Sequence, residues 1–413
     1  MKRLRNAALA AIIAMTVMAL SAGCGGRHAP AQPIPESFSE AMENARGTTV
    51  TFYGWGGGTA INAWIDNVLA PSLLADYGVT LNRVPMDISD ILSKLIGERQ
   101  AGVMSGDIDV VWINGENFYT AKNAGLLFGP IHNLVGNVAR YINPDDPDVH
   151  FDFGTPIEGM QVPYGRAQLV FAGDTEILDR FPASAQELLE LARANPGMIT
   201  YAAPPDFTGS AFVRNLIYEI VGFEALNNAS ANAADIYRVI RPALDFMNEL
   251  APYLWQEGRT YPSTTAAVRQ MFVDGQVLMA MSYTPLFVGQ FIRAGEFPDT
   301  VQTFLFDRGN IGNTHYVAVP FNAPNKSAAL VLIHHIISAE MQMSKYDVSN
   351  WGDLPVFDVN RLSPAQMAAL GAIDNGLGIL SPGELAARRM PEVSAAKIPI
   401  IEQLWIEHVL MAR

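Results

Sequence analysis

The chain has 413 residues, 49% of them hydrophobic, and a formal net charge of −14. That apolar content excludes a mostly disordered protein, and so acidic a chain is a poor general binder of nucleic acid, whose phosphates need clustered Lys and Arg. A single cysteine excludes intramolecular disulfides and multi-cysteine zinc or iron–sulfur sites.

The chain opens on Lys2, Arg3 and Arg5, followed by an apolar run from Ala7 to Leu20 and then Ser21-Ala22-Gly23-Cys24. A basic start, a short apolar run and a small-residue site predict a secretory signal peptide over residues 1–23, too short to span a bilayer comfortably. The lone thiol follows that site directly, which resembles the lipobox of bacterial lipoproteins, although Leu20 lies four residues before Cys24 rather than three. Cys24 is therefore expected to carry lipid, tethering the protein to a membrane without spanning it. Residues 24–44, with Gly25-Gly26 and Pro30, Pro33 and Pro35, read as the tether. Loss of Lys2, Arg3 and Arg5 takes the net charge from −14 to −17, a field that favours cationic small molecules at long range.

Thr49–Tyr53 is β-branched and aromatic, the pattern of a strand. Apolar spacing predicts a helix over about 60–76, a strand over 79–84 and a helix over 88–101. Residues 109–113 are almost entirely apolar, as in a strand buried on both faces of a parallel sheet. The first third thus reads as βαβαβ. A loop-rich stretch follows over 143–159, then a long strand over 161–171. Helices are predicted at 185–194, 210–221, 232–251 and 264–273. Strands follow at 277–281, 301–306 and 316–320, and helices at 327–338, 363–370 and 391–410. Two α/β units joined by crossings imply two lobes and a cleft.

Catalytic signatures are absent: there is no Gly-x-Ser-x-Gly elbow, phosphate loop or His-Glu-x-x-His helix. His334 and His335 are about 100° apart on a helix and share no face. Asp145, Asp146 and Asp148 lack the EF-hand spacing and read as a solvated turn. The glycines after the first strand do not form the dinucleotide fingerprint. No metal and no cofactor are expected.

What remains is a set of aromatic and amide-rich segments at or near strand ends: Tyr53–Thr59 with Trp55 and Gly56, Asn114–Tyr119 with Glu116 and Asn117, Pro163–Gln168 with Tyr164 and Arg166, Pro204–Ser210 with Asp206, Phe207 and Thr208, Ser282–Pro285 with Tyr283, and a loop at Asn310–Asn313. Apolar walls with a few directed polar groups make a small-molecule pocket. Thr208 or Ser210 is placed to cap a helix or to leave its N–H groups to a ligand.

The blocks "FYGWGG", "DVVWINGENFYTAKNAGLLFGP", "VPYGRAQLVF", "YAAPPDFTGSAF", "DGQVLMAMSYTP", "GNIGNTHYVAVPFNAPN" and "NWGDLPVF" run in order over about residues 50–357. In them the chain resembles the YnjB-type solute-binding proteins of bacterial ABC importers, and more broadly type II periplasmic binding proteins. The resemblance implies an α/β fold of two lobes, each a central β-sheet flanked by helices, joined by crossing strands. Lobe 1 is expected over 45–158 and 315–362, and lobe 2 over 159–314 and 363–413. The implied function is capture of a small solute in the cleft, and its delivery to a permease and ATPase complex, by a lipid-anchored extracytoplasmic monomer that binds no nucleic acid. Expected ligand contacts are stacking by Trp55 and by Tyr164 or Tyr283, orienting amides at Asn114 and Asn117, a Glu116 carboxylate for a cationic group, and Gly56, Arg166, Asp206, Phe207, Thr208 and Asn313. Relatives tend to carry Trp at position 164 and Phe-Asn at 283–284, so solute preference is expected to differ. The alternative is an exported hydrolase or lyase using carboxylates such as Glu116 and Asp206.

Overall fold

The computed structural model describes residues 34–412, so Cys24 and the expected signal segment lie outside the described residues. Helix α1 (Phe38–Ala45) precedes β1 (Thr49–Gly54), whose alternating burial places Val50 and Phe52 inward. Residues Thr59–Trp64, Ile65–Leu69 and Ala70–Tyr77 form one continuous helix, α2, with a π turn at its middle. It stops at Gly78, where a φ of 68° suits a residue without Cβ. Strand β2 (Thr80–Pro85), α3 (Ile88–Gln100), β3 (Val110–Trp112) and α4 (Gly115–Asn123) complete the predicted alternation. β1 pairs in parallel with both β2 and β3.

Strand β4 (Leu127–Phe128) and α5 (Gly136–Tyr141) lead into the loop-rich stretch, which contains a small hairpin of β5 (Phe151–Asp152) and β6 (Thr155–Pro156). The long strand expected next breaks at Leu169 into β7 (Gln161–Gln168) and β8 (Val170–Asp174). Helices α6 (Ala185–Ala194), α7 (Phe207–Val221), α8 (Phe223–Asn227), α9 (Ala233–Leu250) and α10 (Thr265–Val273) follow. Helix α7 starts three residues before its predicted start. Asp206 caps it, accepting the Gly209 N–H at 2.8 Å, rather than Thr208 or Ser210.

Strand β9 (Met279–Ser282), α11 (Phe287–Arg293) and β10 (Val301–Phe304) precede β11 (Asn310–Pro320). Asn310–Asn313, expected as a loop, is strand. Gly312 and Asn313 pair with Gln168 and Ala167, while Asn310 and Ile311 pair with β12 (Arg389–Met390), so pairing overrides the turn preference of Asn and Gly. Between these strands come α12 (Lys326–Ile336), α13 (Ala339–Tyr346), α14 (Pro364–Gly371) and α15 (Pro382–Ala387). The helix predicted from residue 391 begins at α16 (Ile398–Trp405), with Pro399 in its first turn.

Two sheets result. One has the order β12-β11-β3-β1-β2, with β4 and β7 also paired to β11; the other is β10-β8-β9. The first is sandwiched between one cluster holding Val50, Phe52, Trp64 and Leu330 and another holding Ile91, Leu95, Val111 and Phe118. The second is covered by Phe171, Phe212 and Trp405 on one face and by Val170, Ala172 and Phe287 on the other. β7 and β11 run antiparallel from one core to the other. Val162 and Val317 lie in the first core, Ala167 and Ile311 in the second. The architecture is an α/β fold of two sheet-centred lobes joined by crossing strands. Leu370 of α14 packs near Tyr141, Met343 and Phe357, whereas Leu385 and Trp405 join the clusters of the second sheet.

Candidate functional site

Where β7 and β11 cross between the cores, a cavity of about 370 Å³ opens. Its walls come from the turn around Asp146 and Asp148, the β5–β6 hairpin, Arg166, residues 312–314 and 316, and the segment from Arg389 to Glu392. Asp146 caps its own short turn by accepting the Asp148 N–H, and its other oxygen pairs with Arg166. Asp148 accepts from the Thr314 hydroxyl at 2.5 Å and lies 3.5 Å from Arg389. Arg389 also donates to the carbonyls of Ala167 and Asn313 at 2.8 and 2.9 Å, tying β12 to both crossing strands.

Two buried carboxylates behave differently. Glu392 takes a two-pronged bond from Arg214, at 3.0 and 2.7 Å, and a third bond from the Tyr283 hydroxyl at 3.0 Å. Arg214 is itself enclosed and donates to Ser210, which donates to Glu402. Asp152 has no cation. Its Oδ2 accepts from the Gly115 N–H at 2.9 Å and from Gln161 at 2.8 Å, while its Oδ1 has no partner. Burial pushes its pKa up to about 7 despite those two bonds, and the nearby Glu116 and Asp148 charges add to the rise.

The sequence-predicted residues fall into three groups. Arg166 and Asn313 line the cavity. Asn313 is only 4% exposed, yet both its amide oxygen and its amide nitrogen lack partners. A second group adjoins the cavity. Asn114 donates to the carbonyl of Thr314, a wall residue. Asn117 donates to Glu116 at 3.3 Å; Glu116 has one unpartnered buried oxygen, and burial raises its pKa. Tyr283 reaches Glu392, and the Phe207 ring, 39% exposed, lies 5.2 Å from that of Tyr283.

The third group lies elsewhere. Trp55 is 52% exposed, over glycines that leave it room: a Cβ on Gly57 would strike the ring. Gly56 packs so closely on Pro85 that it admits no side chain. Asp206 is fully engaged, accepting from Gly209 and from both the N–H and the hydroxyl of Thr265. Thr208 is buried in the first turn of α7. Tyr164 is 1% exposed, enclosed by Trp112, His315 and Trp351, with the Lys345 ammonium 5.3 Å from its ring centre. Lys345 and Asp353 form a fully buried pair at 2.7 Å beside it.

Sequence reasoning missed Asp152, Arg214, Arg389 and Glu392, and set Asp146 and Asp148 aside as a solvated turn. Short-range pattern carries no signal for them, because bonds that define them span long stretches of chain: Glu392 and Arg214 are 178 residues apart, Arg389 and Ala167 222, and Asp152 and Gly115 37. Among the described residues, no group of three or more His, Cys, Asp or Glu is arranged to hold a metal, and no helix is long and apolar enough to cross a membrane.

Comparison with known proteins now adds the family. The profile of the bacterial extracellular solute-binding proteins matches residues 69–372. Protein YnjB of Escherichia coli K12 is 35% identical over 335 residues, which span 81% of this chain and 86% of that one. In fold the chain is similar to a periplasmic thiamin binding protein (TM-score 0.59, 18% identity, covering 88% of this chain and 96% of that one). It is equally similar to a putative spermidine/putrescine ABC transporter protein from Listeria monocytogenes (TM-score 0.59, 14% identity, 88% and 99%). An ABC transporter protein from Clostridium perfringens aligns with TM-score 0.60 at 15% identity over 87% and 98%. The chain belongs to the bacterial extracellular solute-binding protein family.

Proposed function

We propose that this protein captures a small solute between its lobes and delivers it to the permease of an ABC importer, with no chemical turnover. The family match over residues 69–372 carries the reading. The cavity at the lobe crossing supports it: the Asn313 amide is buried there with nothing to bond, an arrangement that costs stability until a ligand supplies partners. We draw lobe 1 as 45–158, 315–362 and α14, and lobe 2 as 159–314 and the residues from α15 onward. Arg166, Asn313, Glu116, Asn114 and Asn117 contribute to the solute site, with Tyr283 and Phe207 as an aromatic wall and Trp55, outside the cavity here, as a stacking lid brought over the solute by lobe closure. Gly56 shapes that lid's loop. Asp206, Thr208 and Tyr164 serve the fold. The protein acts as a monomer anchored through Cys24, in the periplasm or at the cell surface. Asp206 is already committed to three hydrogen bonds that cap α7 and hold the start of α10, which counts against the paired-carboxylate hydrolase.

Purified protein screened against a solute library tests the proposal. A binding solute at 100 times its dissociation constant raises stability by about 2.7 kcal/mol, visible as a thermal shift. That solute is recovered intact by mass spectrometry. A protein that no small molecule stabilises, or that converts its solute, is not the one described. Trp55→Phe removes any blue shift of emission that solute addition causes, if Trp55 is the lid.

A further inference from the structure

Every carboxylate on the cavity wall but one has its own arginine. Asp146 pairs with Arg166, Asp148 lies beside Arg389, and Glu392 is clasped by Arg214. Asp152 is the exception. It is 2% exposed, lines the cavity, and keeps Oδ1 free of any hydrogen bond. The Asn313 amide on the same wall is likewise unpartnered at both ends. A buried carboxylate costs free energy unless a donor, best a charged one, meets it. Within the described chain, the neighbouring charged groups do not meet that need. Glu116 on α4 and Asp148 on the turn before β5 are themselves acidic, Tyr316 on β11 gives its hydroxyl to the carbonyls of Asp148 and Phe151, and Arg166 and Arg389 serve Asp146 and Asp148.

We propose that the solute carries a protonated or quaternary nitrogen, that Asp152 pairs with this cation in the cavity, and that the Asn313 amide orients the polar remainder. The proposal rests on the solute-binding reading and narrows it to a charge class. Phe151, Phe153 and Tyr316 supply apolar and aromatic wall beside that position, consistent with an organic cation rather than a bare metal ion. The proton balance follows. Below pH 7, Asp152 holds a proton that the cation must displace; above it, the carboxylate is already charged. Affinity for a cation therefore rises from pH 6 to pH 8 and levels off, by up to about tenfold per pH unit below the pKa.

The test uses the full exported chain and shape-matched probes: choline against its neutral isostere 3,3-dimethyl-1-butanol, and ethanolamine against ethylene glycol and glycolate. Retention by wild type, Asp152→Asn and Asn313→Ala is read by mass spectrometry at pH 6, 7 and 8. Wild type is expected to retain cationic probes over their partners, more strongly at pH 8. Asp152→Asn, checked for folding by its melting curve, loses about thirtyfold or more in affinity and the pH dependence with it. Asn313→Ala loses affinity but keeps the pH dependence. Retention of neutral or anionic probes in preference, equal retention by Asp152→Asn, or no cationic probe retained by the wild type overturns the assignment. Recovery of a neutral or anionic solute bound to the purified protein would then leave the solute-binding reading standing alone.

Discussion

Asp152 makes the stability of this protein depend on pH in a direction opposite to that of a salt-bridged carboxylate. Its pKa is about 7 in the fold against an ordinary 3.8. The folded state thus holds the proton more tightly than the unfolded chain. Its contribution favours folding at low pH and is lost as pH rises from about 4 to about 7, at up to about 1.4 kcal/mol per pH unit. Asp152→Asn removes this term while its side-chain oxygen still accepts from Gly115 and Gln161. Urea unfolding at pH 4.5, 5.5, 6.5 and 7.5 is expected to show the variant gaining on the wild type with each step upward. Parallel pH profiles for the two proteins would show that Asp152 does not titrate in this range. The two histidines of α12 illustrate the same physics: burial holds His334 down to about 4, so it is neutral where it stacks on Phe38.

At the level of elements, residues chosen for chemistry were partly doing structural work. Asp206 looked like a carboxylate at a strand-end loop. In the fold it caps α7 through Gly209 and holds the start of α10 through Thr265. Asp206→Ala is expected to cost about 1–2 kcal/mol of stability, the usual loss for a cap, with solute affinity changed little. Denaturant midpoints beside binding isotherms separate the two effects, and a large affinity loss with unchanged stability would restore Asp206 to the binding site. β11 makes a related point. Its Asn310–Asn313 segment carries turn-forming residues, yet it is paired with β7 and β12, and this places Asn313 at the cavity.

Across the whole molecule, the crossing strands β7 and β11 join two cores. Lys345 reaches β7 at the Tyr164 carbonyl and pairs with Asp353, both side chains wholly buried. Gly165 leaves the space: any Cβ there would collide with that pair. Lys345→Met strands a buried Asp353 and is expected to cost about 3–5 kcal/mol, whereas Lys345→Met with Asp353→Leu recovers much of it, since apolar replacements of whole buried pairs are often neutral. Chemical unfolding of the two variants checks this. A double variant no more stable than the single one would mean that the pair contributes more than its own compensation, for instance by fixing the path of β7.

Local pattern alone was enough to determine the α/β class, the parallel βαβαβ unit and most helices, because 3.6-residue and two-residue apolar periods and caps such as Ser184 and Asn232 act over a few residues. The motif blocks led to the family. Only tertiary structure formed the candidate cavity. Arg166 and Asn313 were legible as polar residues in otherwise apolar segments. Tyr164 looked equally available, and folding buried it among Trp112, His315 and Trp351. Asp146 and Asp148 read as a solvated turn until Arg166, Thr314 and Arg389 came to meet them. Whether a carboxylate is solvated, paired or left waiting for a cation depends on which distant segments fold against it, and that is set by the crossing of β7, β11 and β12 rather than by any neighbour in the chain.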